Sequence, residues 1–292
     1  KPNSEFINIV DDYESEISII DHIDGKLVAI TDRNAPKKKA VLIDPSYPKE
    51  GLWETIIPEN NNVLTSVNIL NDRLIAHYMV DIISNWTIFD LKGNILNQVD
   101  LPGPGISYGF SGSKDQKISW YRFESLVHPP SVFIYDFNNN SSSIYYDSKA
   151  KFDKDKYIMK QKFYTSNDGT RIPIFIAHDK NLVLDGMRPT LLYGYGGFNS
   201  SVKPYFNKTI PIILENGGVY SIANIRGGGE YGQKWHEAGM LGKKQNVFND
   251  FISAGEYLIT EGYSSPDRLA IRGGSNGGTL IGAVINQRPN LF

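Results

Sequence analysis

Cysteine is absent from the 292 residues, which excludes a disulfide framework, a thiol nucleophile and any cysteine-based zinc site. An excess of either charge is also missing. Thirty basic side chains stand against 32 acidic ones, a net charge of −2, so nothing recommends nucleic acid or an anionic membrane as a partner. No apolar stretch approaches the ~18 residues of a membrane span. The start, Lys1-Pro-Asn-Ser-Glu-Phe6, lacks the apolar centre of a signal peptide. It also lacks an initiating methionine, and its first residues read as strand, so it is expected to be a cut end of a longer chain. What is present is ordinary: 40% hydrophobic and 12% aromatic residues, with a length that fits about two domains, each able to bury a core. A chain without cysteine suits reducing and oxidising compartments alike.

From Phe6 to Ser148 short apolar runs are broken by Gly, Pro, Asn and Asp, and helical periodicity is nearly absent. The runs align with one another. Gly25-Lys-Leu-Val-Ala-Ile30 resembles Asp72-Arg-Leu-Ile-Ala-His77 and Gln116-Lys-Ile-Ser-Trp-Tyr121. Each is followed by a strand that ends in Asp, at Asp44, Asp90 and Asp136, spaced by 46 residues twice over, with turn chemistry after each. A repeat of this length built only from strands points to β-propeller blades, with a β-sandwich of coincidental spacing as the alternative. Three blades cannot close a propeller, so further blades are expected N-terminal to Lys1.

From Lys151 the pattern changes. Ser166-Asn-Asp-Gly169 is a hairpin turn between Lys162–Thr165 and Arg171–Ile176. Strands at 190–193, 219–224 and 268–272 then alternate with helices expected at 205–216 and 246–261. This is an α/β layout with a mainly parallel sheet. The expected division is a partial propeller over residues 1–150 and an α/β domain over 151–292.

The chemistry concentrates at Gly273-Gly274-Ser275-Asn276-Gly277-Gly278. It fits G-x-S-x-G, follows a strand and opens an apolar helix, the context of a nucleophile elbow. The bend forces close backbone approach, so Gly273, Gly274 and Gly277 flank the serine, and Ser275 is the candidate nucleophile. An acyl transfer also needs two donors for the oxyanion. The N–H of Asn276 is one, and the loop Gly194-Tyr-Gly-Gly-Phe-Asn199 is the expected source of the other.

Tyr193-Gly-Tyr-Gly-Gly-Phe198, Asn224-Ile-Arg-Gly-Gly-Gly-Glu-Tyr-Gly232 and Gly273–Gly278 resemble the prolyl oligopeptidase family. Asp250, Ala254 and Leu258 match its spacing before the serine, while Thr279 departs from an apolar preference. The resemblance is strong over 151–292 and architectural before that. It implies a propeller joined to an α/β-hydrolase domain, and a serine endopeptidase that cuts short peptides after proline. It assigns Ser275 as nucleophile, the Tyr195 hydroxyl as the second oxyanion donor beside Asn276, and Phe198 as a wall of the proline-accepting pocket. It implies no metal and no cofactor, a monomer when complete, and a cytoplasmic location, or a periplasmic one in some bacteria.

A serine hydroxyl needs a histidine base oriented by a carboxylate, and in α/β-hydrolases these follow the serine in the chain. The histidines here, His22, His77, His128, His178 and His236, all precede Ser275. His236 matches no triad role, so the catalytic Asp and His are expected beyond Phe292, and the chain alone is expected to be inactive. Arg226-Gly-Gly-Gly-Glu230 invites an anion or RNA site, but a tight turn whose charges pair within the fold is the preferred reading. Two other functions stay open: an esterase or lipase on the same scaffold, and a non-catalytic protein that docks partners on the propeller.

Overall fold

The computed structural model describes residues 6–292. Lys1–Glu5, part of the strand expected at the start, lie outside the described residues. Residues 6–16 form no strand, and the first begins at Ile17. Three four-stranded antiparallel sheets then follow in chain order. The first contains β1 (Ile17–Ile23), β2 (Lys26–Thr31), β3 (Lys39–Ile43) and β4 (Glu54–Ile57). The second contains β5 (Val63–Leu70), β6 (Arg73–Val80), β7 (Ile83–Asp90) and β8 (Ile95–Gln98). The third contains β9 (Ile106–Gly109), β10 (Ile118–Ser125), β11 (His128–Asp136) and β12 (Ser141–Tyr146). The aligned runs fall on β2, β6 and β10, each the second strand of its sheet. The run leading to each spaced Asp falls on the third strand.

Two-residue turns with left-handed backbone set the register, as at Asn71-Asp72, where both φ angles are 50°. In β6 the alternation serves two cores at once. Leu74, Ala76 and Tyr78 pack with Val28, Leu42 and Ile57 of the first sheet. Ile75 joins Trp86, Phe110, Tyr121 and Phe133 beneath the third. A sheet buried on both faces by its neighbours is the blade arrangement that the repeat implies. The far face of the third sheet has no such cover among the described residues. Trp120 pairs with Ile134 on that face, and Ile118 and Trp120 remain 37% and 38% exposed.

The second half is built on a five-stranded sheet, order β13-β14-β16-β15-β17. Its strands are β13 (Tyr157–Thr165), β14 (Arg171–Asp179), β15 (Thr190–Tyr193), β16 (Val219–Ala223) and β17 (Leu269–Arg272). The β16-β15-β17 pairings are parallel, but β14 pairs antiparallel with both β13 and β16. The sheet is therefore mixed rather than mainly parallel. The hairpin that makes β14 reverses its direction before the first crossover.

The expected helix at 205–216 is shorter, α1 (Thr209–Glu215). Pro211 explains the late start: its ring would clash with the carbonyl four residues back, so it fits only within the first turn. Asn207 Oδ1 accepts from Thr209 N at 3.0 Å at that start. The short helix α2 (Gln233–Glu237) was not expected. α3 (Gln245–Thr260) falls within a residue of expectation, and α4 (Asn276–Gln287) opens after the glycines. One face of the sheet, with Ile172, Ile174 and Ile176 of β14, packs against Val247, Phe251, Leu280 and Val284 of α3 and α4. The other, with Phe175 and Ala177, packs on α1 and on Met79 and Ile82 of the second blade.

The end of β16 is fixed by a buried ion cluster. Arg226 holds Asp250 of α3 through Nε (2.9 Å) and Nη2 (2.6 Å), and reaches Asp168 of the β13–β14 turn at 2.5 Å. Ser166 Oγ and Arg226 N also donate to the Asp250 carboxylate, at 2.6 and 3.1 Å. The guanidinium holds Asp168 down to about 2. The charge of Arg226 thus pairs within the fold, as the preferred reading had it, but Glu230 at the other end of the turn is buried without an ion pair among the described residues. Removing one partner strands a buried charge. Asp250→Ala should cost about 3–5 kcal/mol, seen as an earlier urea transition of the α/β half.

His77 sits in the second blade, stacked on Trp86 with centroids 4.4 Å apart. Its ring nitrogens meet Thr65 Oγ1 at 2.7 Å and Ser84 Oγ at 2.8 Å. Burial, with a smaller push from Lys203, lowers it from 6.5 to about 3. Its folded value is depressed, so the unfolded chain takes up a proton that the folded chain refuses. Stability is full above pH 6.5 and is lost as pH falls toward 3. His77→Gln should flatten that part of the pH–stability curve measured by urea unfolding.

Candidate active site

β15 and β17 are parallel neighbours, so the loops after them leave the same edge of the sheet side by side. After Arg272 the chain bends sharply. Ser275 has φ 54° and ψ −121°, a left-handed conformation that costs a non-glycine residue of order 1–3 kcal/mol and persists only where its surroundings enforce it. Gly277 N to Gly274 O and Gly278 N to Ser275 O, both 2.8 Å, close the turn into α4.

The glycines differ in what they permit. A Cβ on Gly273 would overlap the Gly277 carbonyl, and one on Gly277 would lie 2.9 Å from the Gly194 carbonyl, whereas Gly274 faces open space. Ser275 is exposed, and the Asn276 N–H belongs to the first turn of a 12-residue helix, its electropositive end. Thr279 points to solvent, so its hydroxyl does not disturb the core under the bend.

The neighbouring loop is tied to this bend at several points. Gly194 N extends the strand pairing by donating to Arg272 O at 3.1 Å. The Asn276 side chain donates through Nδ2 to the Tyr195 carbonyl at 3.0 Å. Lys244 Nζ donates to the Gly196 carbonyl at 2.6 Å. Asn199 N donates to Gly227 O at 3.2 Å.

The Tyr195 ring lies along the elbow, since a Cβ on Gly277 would sit 3.7 Å from its Cδ2. Ser275, Asn276, Gly277 and Tyr195 are thus brought together. Phe198 lies at the tip of the same loop with φ 55° and is 77% exposed, its ring in solvent. Tyr195 also lines a cleft of about 770 Å³ with Tyr193, Lys203, Tyr205, Tyr220 and Arg272. Neither Ser275 nor Phe198 is among its walls.

Each histidine ring is engaged away from the serine. His236 Nδ1 lies 2.7 Å from Gly227 O and accepts, in its other tautomer, from Asn199 N at 3.0 Å. His77 is held by Thr65 and Ser84, and His128 and His178 by the carbonyls of Pro129 and Asp179. His22 faces Asp21 on the surface. Among the described residues no cluster of His, Asp or Glu could hold a metal ion.

Glu230 of the glycine turn is buried and pushed up to about 7 by desolvation. Its Oε1 accepts from Val202 N at 2.9 Å, which braces the segment after the Tyr195 loop. Two site contacts had no place in the sequence reading, those of the Asn276 amide and of Lys244. For Lys244 a signal existed: a cation at the N-terminus of a helix opposes the helix dipole and asks for a local reason.

Two family profiles match the chain. The profile described as prolyl oligopeptidase, N-terminal beta-propeller domain matches residues 1–148, and that of the prolyl oligopeptidase family matches 204–292. The prolyl endopeptidase of Elizabethkingia miricola is 43% identical over all of this chain and 41% of its own length. That of Dictyostelium discoideum is 38% identical over 92% of this chain and 37% of its own. A structure from a study of two prolyl endopeptidases superposes with a TM-score of 0.92 at 40% identity, over 97% of this chain and 42% of its own. Prolyl oligopeptidase B of Galerina marginata, bound to a 35mer hydrolysis and macrocyclization substrate, gives 0.87 at 31% identity, over 95% and 40%. The chain spans about two fifths of the length of the relatives it matches. With a strand-only repeat stacked as blades, a mixed α/β sheet behind it and both profiles matched, the chain belongs to the prolyl oligopeptidase family.

Proposed function

We propose that the full-length protein is a serine endopeptidase that cleaves short peptides on the carboxyl side of proline through an acyl-enzyme on Ser275. The observation that carries this reading is the left-handed Ser275 between β17 and α4, with the Tyr195 loop bonded onto the same bend. Attack by Ser275 Oγ on the scissile carbonyl places negative charge on its oxygen. The Asn276 N–H and the Tyr195 hydroxyl are the donors that receive it. Phe198, exposed at the loop tip, supplies an apolar wall for the proline ring once substrate and further chain cover it. Peptide substrates are supported by the structures of Galerina marginata prolyl oligopeptidase B bound to 35mer and 25mer substrates. No metal or cofactor enters the scheme.

The base that takes the serine proton, and the carboxylate that orients it, come from chain beyond Phe292. Further blades cover the open face of the third sheet at Ile118 and Trp120. The division falls near residue 150, between β12 and β13, with the propeller on the N-terminal side limiting access to short peptides. The 292 residues alone should therefore not turn over substrate.

In the full-length protein, hydrolysis of a Gly-Pro-fluorophore amide should fall by about 10⁶-fold with Ser275→Ala, and a fluorophosphonate probe should label Ser275. Labelling at another residue would sink this assignment, whereas Ser275-dependent hydrolysis by residues 1–292 alone would overturn the placing of the base and its carboxylate beyond Phe292. A strong preference for simple esters over prolyl amides would move it to the esterases.

A further inference from the structure

We propose that the side chains of Asn276 and Lys244 are positioning residues for the oxyanion-binding loop, holding Tyr195 against the elbow through two successive backbone carbonyls. The inference rests on the peptidase reading above and adds to it. Asn276 then acts twice. Its backbone N–H is one oxyanion donor, and its side chain fixes the residue that carries the other.

The geometry of the loop is cut to receive that amide. Nδ2 donates to Tyr195 O at 3.0 Å across 81 positions of sequence. A Cβ on Gly197 would overlap Asn276 Nδ2, so the loop leaves out a side chain where the amide enters. The next carbonyl is claimed by Lys244 Nζ at 2.6 Å. Between the two anchors Gly196 adopts φ 63°, with Val247 and Ile225 occupying the space a side chain would need. The two peptides that flank Gly196 Cα are thus each held by their carbonyl, and the residue between them is walled from the side. Neither peptide can rotate without breaking its bond.

Lys244 is costly where it stands unless it serves this end. It is the N-cap of the 16-residue helix α3 and provides no side-chain cap. A cation at that electropositive end is disfavoured, and a cap residue there would ordinarily be Ser, Thr, Asp or Asn. Burial also lowers the pKa of its ammonium group. Among the described residues its Nζ donates one hydrogen bond, to Gly196 O. A residue that breaks a local rule without a local gain points to a demand elsewhere. Here the demand is the placement of a phenol, because an oxyanion donor is worth about 10²–10³ in rate only when held in place before the charge develops.

The test is a double-mutant cycle in the full-length protein, read as kcat and KM on a prolyl amide, with Tm followed throughout. Tyr195→Phe should lower kcat by about 10²–10³-fold. Asn276→Ala keeps the backbone N–H. It should lower kcat by about tenfold with KM within about twofold, and by less than about twofold in the Tyr195→Phe background, where no phenol is left to place. Lys244→Met should follow the same pattern, with Lys244→Arg restoring part of the loss. Should Asn276→Ala not fold, the Lys244→Met cycle carries the test alone. Equal losses with and without the phenol, losses confined to KM, or wild-type kcat in both variants would overturn the positioning role. Those outcomes together with Ser275-dependent hydrolysis remove only this inference, whereas hydrolysis indifferent to Ser275→Ala removes the peptidase reading itself.

Discussion

A guanidinium and a carboxylate shut away from water hold the α/β half together at its functional edge. Arg226 and Asp250 are 5% and 0% exposed, and their two-point contact joins the end of β16 to the middle of α3. Desolvating both charges is expensive, and only full hydrogen bonding of the pair repays it. That bonding draws in Ser166 and Asp168 from the first hairpin, while Tyr164 donates its hydroxyl to the Asp250 carbonyl at 2.8 Å. Everything near the serine is measured from this point. The turn after Arg226 presents the Gly227 carbonyl that receives Asn199, and α3 begins with the lysine that grips Gly196.

The two halves do not merely touch. Met79 and Ile82, at one end of the second blade, are buried in the same core as Phe175, Tyr220 and Ile222 of the sheet. The turn between β6 and β7 adds a polar bond, Tyr231 OH to Asp81 Oδ1 at 2.7 Å. The turn that reverses a blade is therefore also a plug in the floor of the other half. Burial of apolar side chains from both sides gives this contact the character of a domain interior.

How much of this could be read in advance follows the reach of each interaction. The blades were legible because their signals are local. The same turn chemistry must recur wherever the same hairpin recurs, and Asp44, Asp90 and Asp136 mark it. Ser275 and the Tyr195 loop were legible because close backbone approach leaves glycines as a trace. Strand direction was not, since nothing within Arg171–Asp179 says which neighbour it will oppose. The helix from 205 failed on a local rule read too loosely, for Pro211 bars an earlier start. The partners of Asn276 and Lys244 could not be named because they stand 81 and 48 residues away, although the misplaced cation of Lys244 was itself visible. Arg226 was intermediate. Pairing within the fold was the expected fate of its charge, and both Arg226 and Asp250 had been singled out, but nothing joined them.

The missing side chain at Gly197 has an evolutionary corollary. Because the space it vacates is filled by the amide of residue 276, the two positions are not free to drift separately. A larger residue at 197 must displace that amide, while a smaller one at 276 would open room for a methyl across the gap. Lineages that abandon the asparagine should therefore also be those in which the glycine is released, a linked substitution readable in sequences before any rate is measured.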